Sequence, residues 1–136
     1  MPIATKYLFI VSMDVTKEKD MPIATKYLFI VSMDVAKDKE ALFNEVYDTE
    51  HVPLLLKVPG VVAVSRMKTE PAAFNLAGER KLLDGGSEPS YVAIYEIDSP
   101  DVLLSKEWAE AAEKGRWPSE VRPFTSNRRH IVRKVV

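Results

Sequence analysis

The strongest constraint in this chain is a change of period. Residues Tyr27 to Val35, YLFIVSMDV, are rich in β-branched and aromatic side chains and contain no glycine or proline, which predicts a strand buried on both faces. From Ala36 onward the apolar positions fall at spacings of three and four. Leu42, Phe43, Val46 and Tyr47 form one stripe, with Lys37, Asp38, Lys39 and Glu45 between them, the pattern of an amphipathic helix. A strand running straight into a helix must share a core with it, so the fold is layered α and β.

The remaining segments extend that pattern. Val52 precedes Pro53 and is pushed away from helical angles, which predicts a break or kink there. Val61–Met67 reads as a second strand, and a third lies within Glu88–Ile97. Between them Thr69–Pro89 carries two prolines, Gly78 and the run Gly85, Gly86, Ser87, the signals of a long loop. Ser99 suits an N-cap, Pro100 a first helical residue and Gly115 a stop, which brackets a second helix with Leu104, Trp108 and Ala112 inward. The segment His130–Val136 closes the chain as a fourth strand.

The order strand, helix, strand, strand, helix, strand predicts an α+β ferredoxin-like βαββαβ sandwich: a four-stranded antiparallel sheet, first and third strands central, two helices on one face. Alternation sends Tyr27, Phe29, Val31 and Met33 one way, joined by Tyr91 and Tyr95 at matching parity. Assigned to the face without helices, that surface is too large and apolar to stay wet, and a second subunit is its expected cover.

The chain writes its first strand twice. Residues 1–20 and 21–40 differ only at Thr16/Ala36, Glu18/Asp38 and Asp20/Glu40. Eleven residues separate Val15 from Tyr27, too few for a parallel crossover of a dozen or more. The second copy leads into the helix, so it takes the central strand. The domain is then 21–136, with 1–20 a duplicated extension. Eleven extended residues reach about 36 Å, so the first copy can alternatively add to a sheet edge or replace its twin in a neighbouring subunit.

Length and charge limit the function classes. With 136 residues the chain suits one domain. Nineteen basic against twenty acidic residues create no field that would draw it to nucleic acid or an anionic membrane. Cysteine is absent, which removes thiolate chemistry and fits a reducing, cytoplasmic setting. The apolar run Tyr7–Val11 is too short to span a membrane. The Gly85–Ser87 run lacks the strand-loop-helix setting of a phosphate cradle, and two distant histidines give no metal-ligand spacing.

Chemistry concentrates in Tyr47–Gly60. Tyr47 and His51, four apart, share a helix face if the helix reaches that far. An imidazole there can exchange a proton near neutral pH, a phenol can orient a substrate oxygen, and Asp48 can hold the imidazole. The plainer alternative is that His51 caps the helix end and Tyr47 packs with a polar tip. The pattern Tyr47-x-x-x-His51-x-Pro53, then Pro59-Gly60 opening a strand, resembles the helix of EthD-like proteins of the dimeric α+β barrel superfamily. The element order from Lys26 to Val136 resembles that fold throughout.

The resemblance implies a homodimer with a small-ligand cavity beside the histidine in each subunit. It also implies His51 as the acid/base group and Tyr47 as its helper, in a superfamily that includes cyclases, lactone isomerases, dehydratases and cofactor-free monooxygenases. Phe29, Met33 and Tyr95 would line such a cavity, and an inward Arg66 would receive a carboxylate or enolate. His130 reads as a surface residue. Three functions are therefore carried forward: a cofactor-independent acid/base enzyme on a small, oxygen-bearing apolar or aromatic compound, a non-catalytic ligand-binding protein, and an RNA platform. The last rests on the partial likeness of Leu28–Met33 to an RNA-binding strand, and the missing basic and glycine-aromatic pattern in Ser90–Tyr95 speaks against it.

Overall fold

In the computed structural model residues 23–136 are described; the first copy, 1–20, lies outside them. Strand β1 (Tyr27–Val35) runs by a short 3-10 turn into α1 (Glu40–Val46), a π-helical turn (Tyr47–His51) and α2 (Val52–Leu56). Then come β2 (Val61–Lys68), β3 (Ala72–Leu76), β4 (Glu79–Leu83) and β5 (Tyr91–Ile97). A 3-10 turn over Pro100–Leu104 precedes α3 (Lys106–Ala112), and a second π turn (Trp117–Val121) precedes the last strand, β6 (Thr125–Lys134).

The main sheet has the order β2-β5-β1-β6, antiparallel throughout, with β1 and β5 central. This is the ferredoxin-like order expected from the period. The helices lie on one face, where Phe43, Val46, Tyr47, Leu55, Ala111 and Trp117 pack on Val31, Met33, Tyr91, Tyr95 and Ile97.

That packing corrects one expectation. The aromatic face, including Tyr27 and Phe29, is the face the helices cover, not one awaiting a second subunit. Strand alternation sorts side chains into two sets but does not say which set meets the helices. The other face carries Leu28, Ile30 and Ser32 of β1, Val92, Ile94 and Glu96 of β5, and Arg129, Ile131 and Arg133 of β6, aligned in rows by the register. No described helix packs on it.

Three further expectations change. Pro53 neither breaks nor ends the helix. The π turn ahead of it bonds the Val52 N–H to the Tyr47 carbonyl, five residues back, which removes the clash a proline ring makes in an α ladder. The Thr69–Pro89 connection is not simply loop, since β3 and β4 pair as a hairpin through Ala77 and Gly78, both at positive φ. The expected helix from Pro100 is split: Ser99 caps only the 3-10 turn, Ser105 caps α3 through the Trp108 N–H, and Leu104 is left exposed while Val102 and Leu103 pack inward.

A bulge marks the β1–β6 pairing. Ser32 faces Arg129 and Asp34 faces Ser126, so Asn127 and Arg128 together oppose Met33. Asn127 adopts φ 50°, a conformation asparagine tolerates, and its amide donates to Asp34 Oδ2 and the Ser87 carbonyl, each at 3.1 Å. Asp34 also accepts the Ser90 N–H at 2.8 Å, and that backbone bond, with the Asn127 amide, holds its carboxyl below the ordinary range.

Candidate functional site

The π turn decides how Tyr47 and His51 meet. Both side chains point to the sheet, buried, with their rings edge to face at 5.2 Å. Trp117, from the second π turn, stacks flat on the imidazole at 4.4 Å and meets Tyr47 edge-on at 4.9 Å. A clamp beside this trio sets its spacing. Glu50 takes the Arg116 backbone N–H at 2.9 Å and the Arg116 side chain at 2.5 Å, tying the residue before His51 to the residue before Trp117. Gly115 belongs to the clamp, because its φ is +72° and a Cβ there would stand 2.6 Å from Glu50 Oε1.

His51 fronts a cavity of about 170 Å³. Its walls include Phe29, Met33, Leu55, Tyr95 and Trp108 around the Tyr47–His51 pair. The residues expected to form a site thus come together, with one exception. Arg66 does face inward, but it lies over the far side of the Tyr47 ring at 4.4 Å and is bonded to Asp48 at 2.7 Å and Asn44 at 2.8 Å. It does not line the cavity. Asp48 is correspondingly spent on Arg66 and does not hold the imidazole.

Among the described residues His51 Nδ1 is buried without a hydrogen-bond partner. A buried polar atom left unpaired costs free energy, and such atoms in native structures concentrate where something else binds. Burial pushes the His51 pKa down to about 4, the Arg122 charge adds to that, and Glu113 opposes it. At neutral pH the ring is therefore uncharged and able to accept a proton. The Tyr47 and Tyr95 hydroxyls share a hydrogen bond of 3.2 Å, and burial raises both phenols, so both stay protonated.

Several lining residues were not singled out as site residues from the sequence, Trp117, Arg122 and Arg128 among them. Trp117, followed by Pro118, falls between the expected second helix and the last strand, and only tertiary packing brings it to His51. Arg122, just before β6, and Arg128, within it, also line the cavity. Arg122 is tied to both Glu113 carboxylate oxygens and to the Ala112 carbonyl. His130, read as a surface residue, is exposed and also lines the cavity, its ring stacked over Phe29 at 6.0 Å. Among the described residues no group of three or more histidines, cysteines or carboxylates gathers as a metal site, and no helix is long and apolar enough to cross a membrane.

No protein-family model matches the sequence, and no curated protein matches it. The structure is similar to the crystal structure of an ethyl tert-butyl ether D (EthD) family protein from Bacillus halodurans C-125, with a TM-score of 0.50 at 13% identity. The alignment covers 81% of this chain and 99% of that one. In fold, the chain is EthD-like.

Proposed function

We propose that the chain is a homodimeric barrel protein whose His51 cavity binds a small apolar or aromatic, oxygen-bearing ligand, and that His51 acts on it as acid/base without a cofactor. The observation that carries this reading is the uncharged, largely buried imidazole of His51 in the lining of a cavity large enough for one aromatic ring, with its Nδ1 sealed in the interior without a partner. Tyr47, its proton retained and its hydroxyl already paired to Tyr95, orients an oxygen of the ligand rather than giving up a proton itself. Phe29, Met33 and Tyr95 supply the apolar walls.

Cyclase, isomerase, dehydratase and monooxygenase chemistry all use such a base. The experiment is a turnover screen of small phenols, quinones, lactones and hydroxy acids with the wild-type chain and His51→Ala side by side. Turnover should fall on the order of 100-fold or more in the variant. Equal turnover would remove His51 from the reaction.

A second reading, a binding protein without chemistry, is favoured by one observation. An imidazole with a pKa near 4 is a weak base at pH 7 unless a ligand raises it. Ligand affinity with no product over long incubation would select it. The RNA-platform reading loses support, because Phe29, Tyr91 and Tyr95 lie under the helices rather than on a free sheet face.

Dimerisation now rests on the opposite face from the one first considered. Ile30, Ile94 and Ile131 form an apolar row across three strands there; Ile94 and its neighbour Leu28 are already buried, while Ile30, Val92 and Met67 are half-buried and Ile131 is exposed, and these are what a second sheet would cover to close the barrel. Light scattering on the whole chain should give twice 15.3 kDa. A mass of 15.3 kDa would overturn the homodimer.

A further inference from the structure

The charges around the cavity do not balance. Its lining contains two arginines and no carboxylate. Arg122 is neutralised by Glu113, which grips the guanidinium with both oxygens. Arg128 has no acidic partner among the described residues, although its neighbour Arg129 is paired to Glu88 at 2.7 Å on the other face of the strand.

The backbone directs Arg128 to this place. The β6 bulge puts Asn127 and Arg128 together opposite Met33, itself a cavity wall, and the Asn127 bonds to Asp34 and Ser87 pin the bulge. Bulges beside sites commonly re-aim a side chain in this way. The result is an excess positive charge in the lining of the cavity, on a side chain of β6 that solvent reaches.

We infer that the cavity takes a monoanionic aromatic ligand whose acidic group is held by Arg128, with the ring among Phe29, Met33 and Trp108 and the reacting end at His51 and Tyr47. This deepens the ligand-binding reading above and rests on it. A volume of about 170 Å³ suits one benzene-sized ring, since a dry cavity of ~150 Å³ binds benzene. The acid group then projects toward β6, where Arg128 is exposed. A guanidinium is suited to the task because its planar donor fork matches a carboxylate.

The probes are phenylacetate and its uncharged isostere phenylacetamide, titrated calorimetrically into the full chain at pH 7.5, with the fluorescence of Trp108 and Trp117 as a second readout. Phenylacetate should bind about tenfold or more tighter than the amide, an advantage of the size a charge-assisted bond supplies. Raised salt should erode that advantage, because Arg128 is exposed. Arg128→Gln should abolish it, Arg128→Lys should retain part of it, and Arg80→Gln on the distant hairpin should leave it intact.

Equal binding of acid and amide by the wild type, or a preference untouched in Arg128→Gln, would overturn the assignment while leaving the cavity a ligand site, because the tryptophan signal still responds. Silence from both probes in both readouts would overturn the assignment together with the reading beneath it.

Discussion

Tyr47 divides the inner face of the sheet into two polar neighbourhoods of opposite character. On one side Arg66 lies over its ring and bonds Asp48 and Asn44, Asn44 donates to Tyr91, and Tyr91 and Lys68 both reach Glu40. These groups satisfy one another and leave no water-sized space. On the other side the imidazole of His51 lines a cavity, and its buried Nδ1 has no partner among the described residues. Both neighbourhoods hold inward polar residues on an apolar face, and residue type alone does not separate them. Hydrogen-bond accounting and open space together do: a closed network without space serves stability, whereas an incompletely bonded ring in the wall of a cavity is where a ligand can add contacts.

The largest effect comes from removing what the two sides share. Phe43 is fully buried and touches the rings of Tyr47, Tyr91 and Trp117, so Phe43→Ala should cost about 3–5 kcal/mol in denaturant unfolding and weaken both neighbourhoods together. A loss under 1 kcal/mol would mean that the two sides do not share a core.

Acid should strike the open side first. The folded pKa of His51, about 4, lies below the unfolded value near 6.5. In that window the unfolded chain binds a proton that the folded chain refuses, so stability falls as pH drops from 6.5 toward 4, by about 3 kcal/mol in all, and is unaffected by His51 above 6.5. The depressed carboxylates Asp34, Glu40, Glu50 and Glu113 also lose their contribution in acid, but below their unfolded values near pH 4. A slope between roughly pH 5 and 6.5 that vanishes in His51→Gln therefore isolates the histidine.

The closed side predicts the reverse pattern. Arg66→Met should lower stability by about 1–2 kcal/mol, through lost hydrogen bonds and ring contact, and leave ligand affinity unchanged. Altered affinity without altered stability would exchange the roles of the two sides. Tyr47→Phe should cost about 1 kcal/mol by unpairing the Tyr95 hydroxyl, with a larger fractional effect on turnover than on melting. Leu82→Lys, on the exposed hairpin, should stay within about 0.5 kcal/mol of wild type.

What was legible in the sequence follows from what periodicity can carry. The switch from alternation to a three-and-four spacing at Ala36 locates β1 and the first helix, and from that the strand order; the meeting of Phe29, Met33, Tyr47, His51 and Tyr95 was implied only by the resemblance to EthD-like proteins. Periodicity does not reveal which strand face meets the helices, so the aromatic face was assigned to the wrong side of the sheet. The β3–β4 hairpin is exposed at every position and carries no burial pattern. Its signal was the pair Ala77-Gly78 between two short runs, masked by the prolines and glycines around it. Arg66 and Asp48 were assigned to the site by type, and only their mutual bond removes them from it. Trp117, Arg122 and Arg128 arrive through a π turn and a bulge, departures from regular spacing that a period search passes over.

The central claim is that His51 is uncharged and turned to the cavity. The most direct test is a proton NMR titration of the imidazole in the full chain, with His130→Gln to assign the only other histidine. A midpoint for His51 near 4, with its ring resonances moving when phenylacetate is added, is the predicted result. A midpoint at or above 6.5, insensitive to the ligand, would mean a solvated or paired imidazole and would contradict the site.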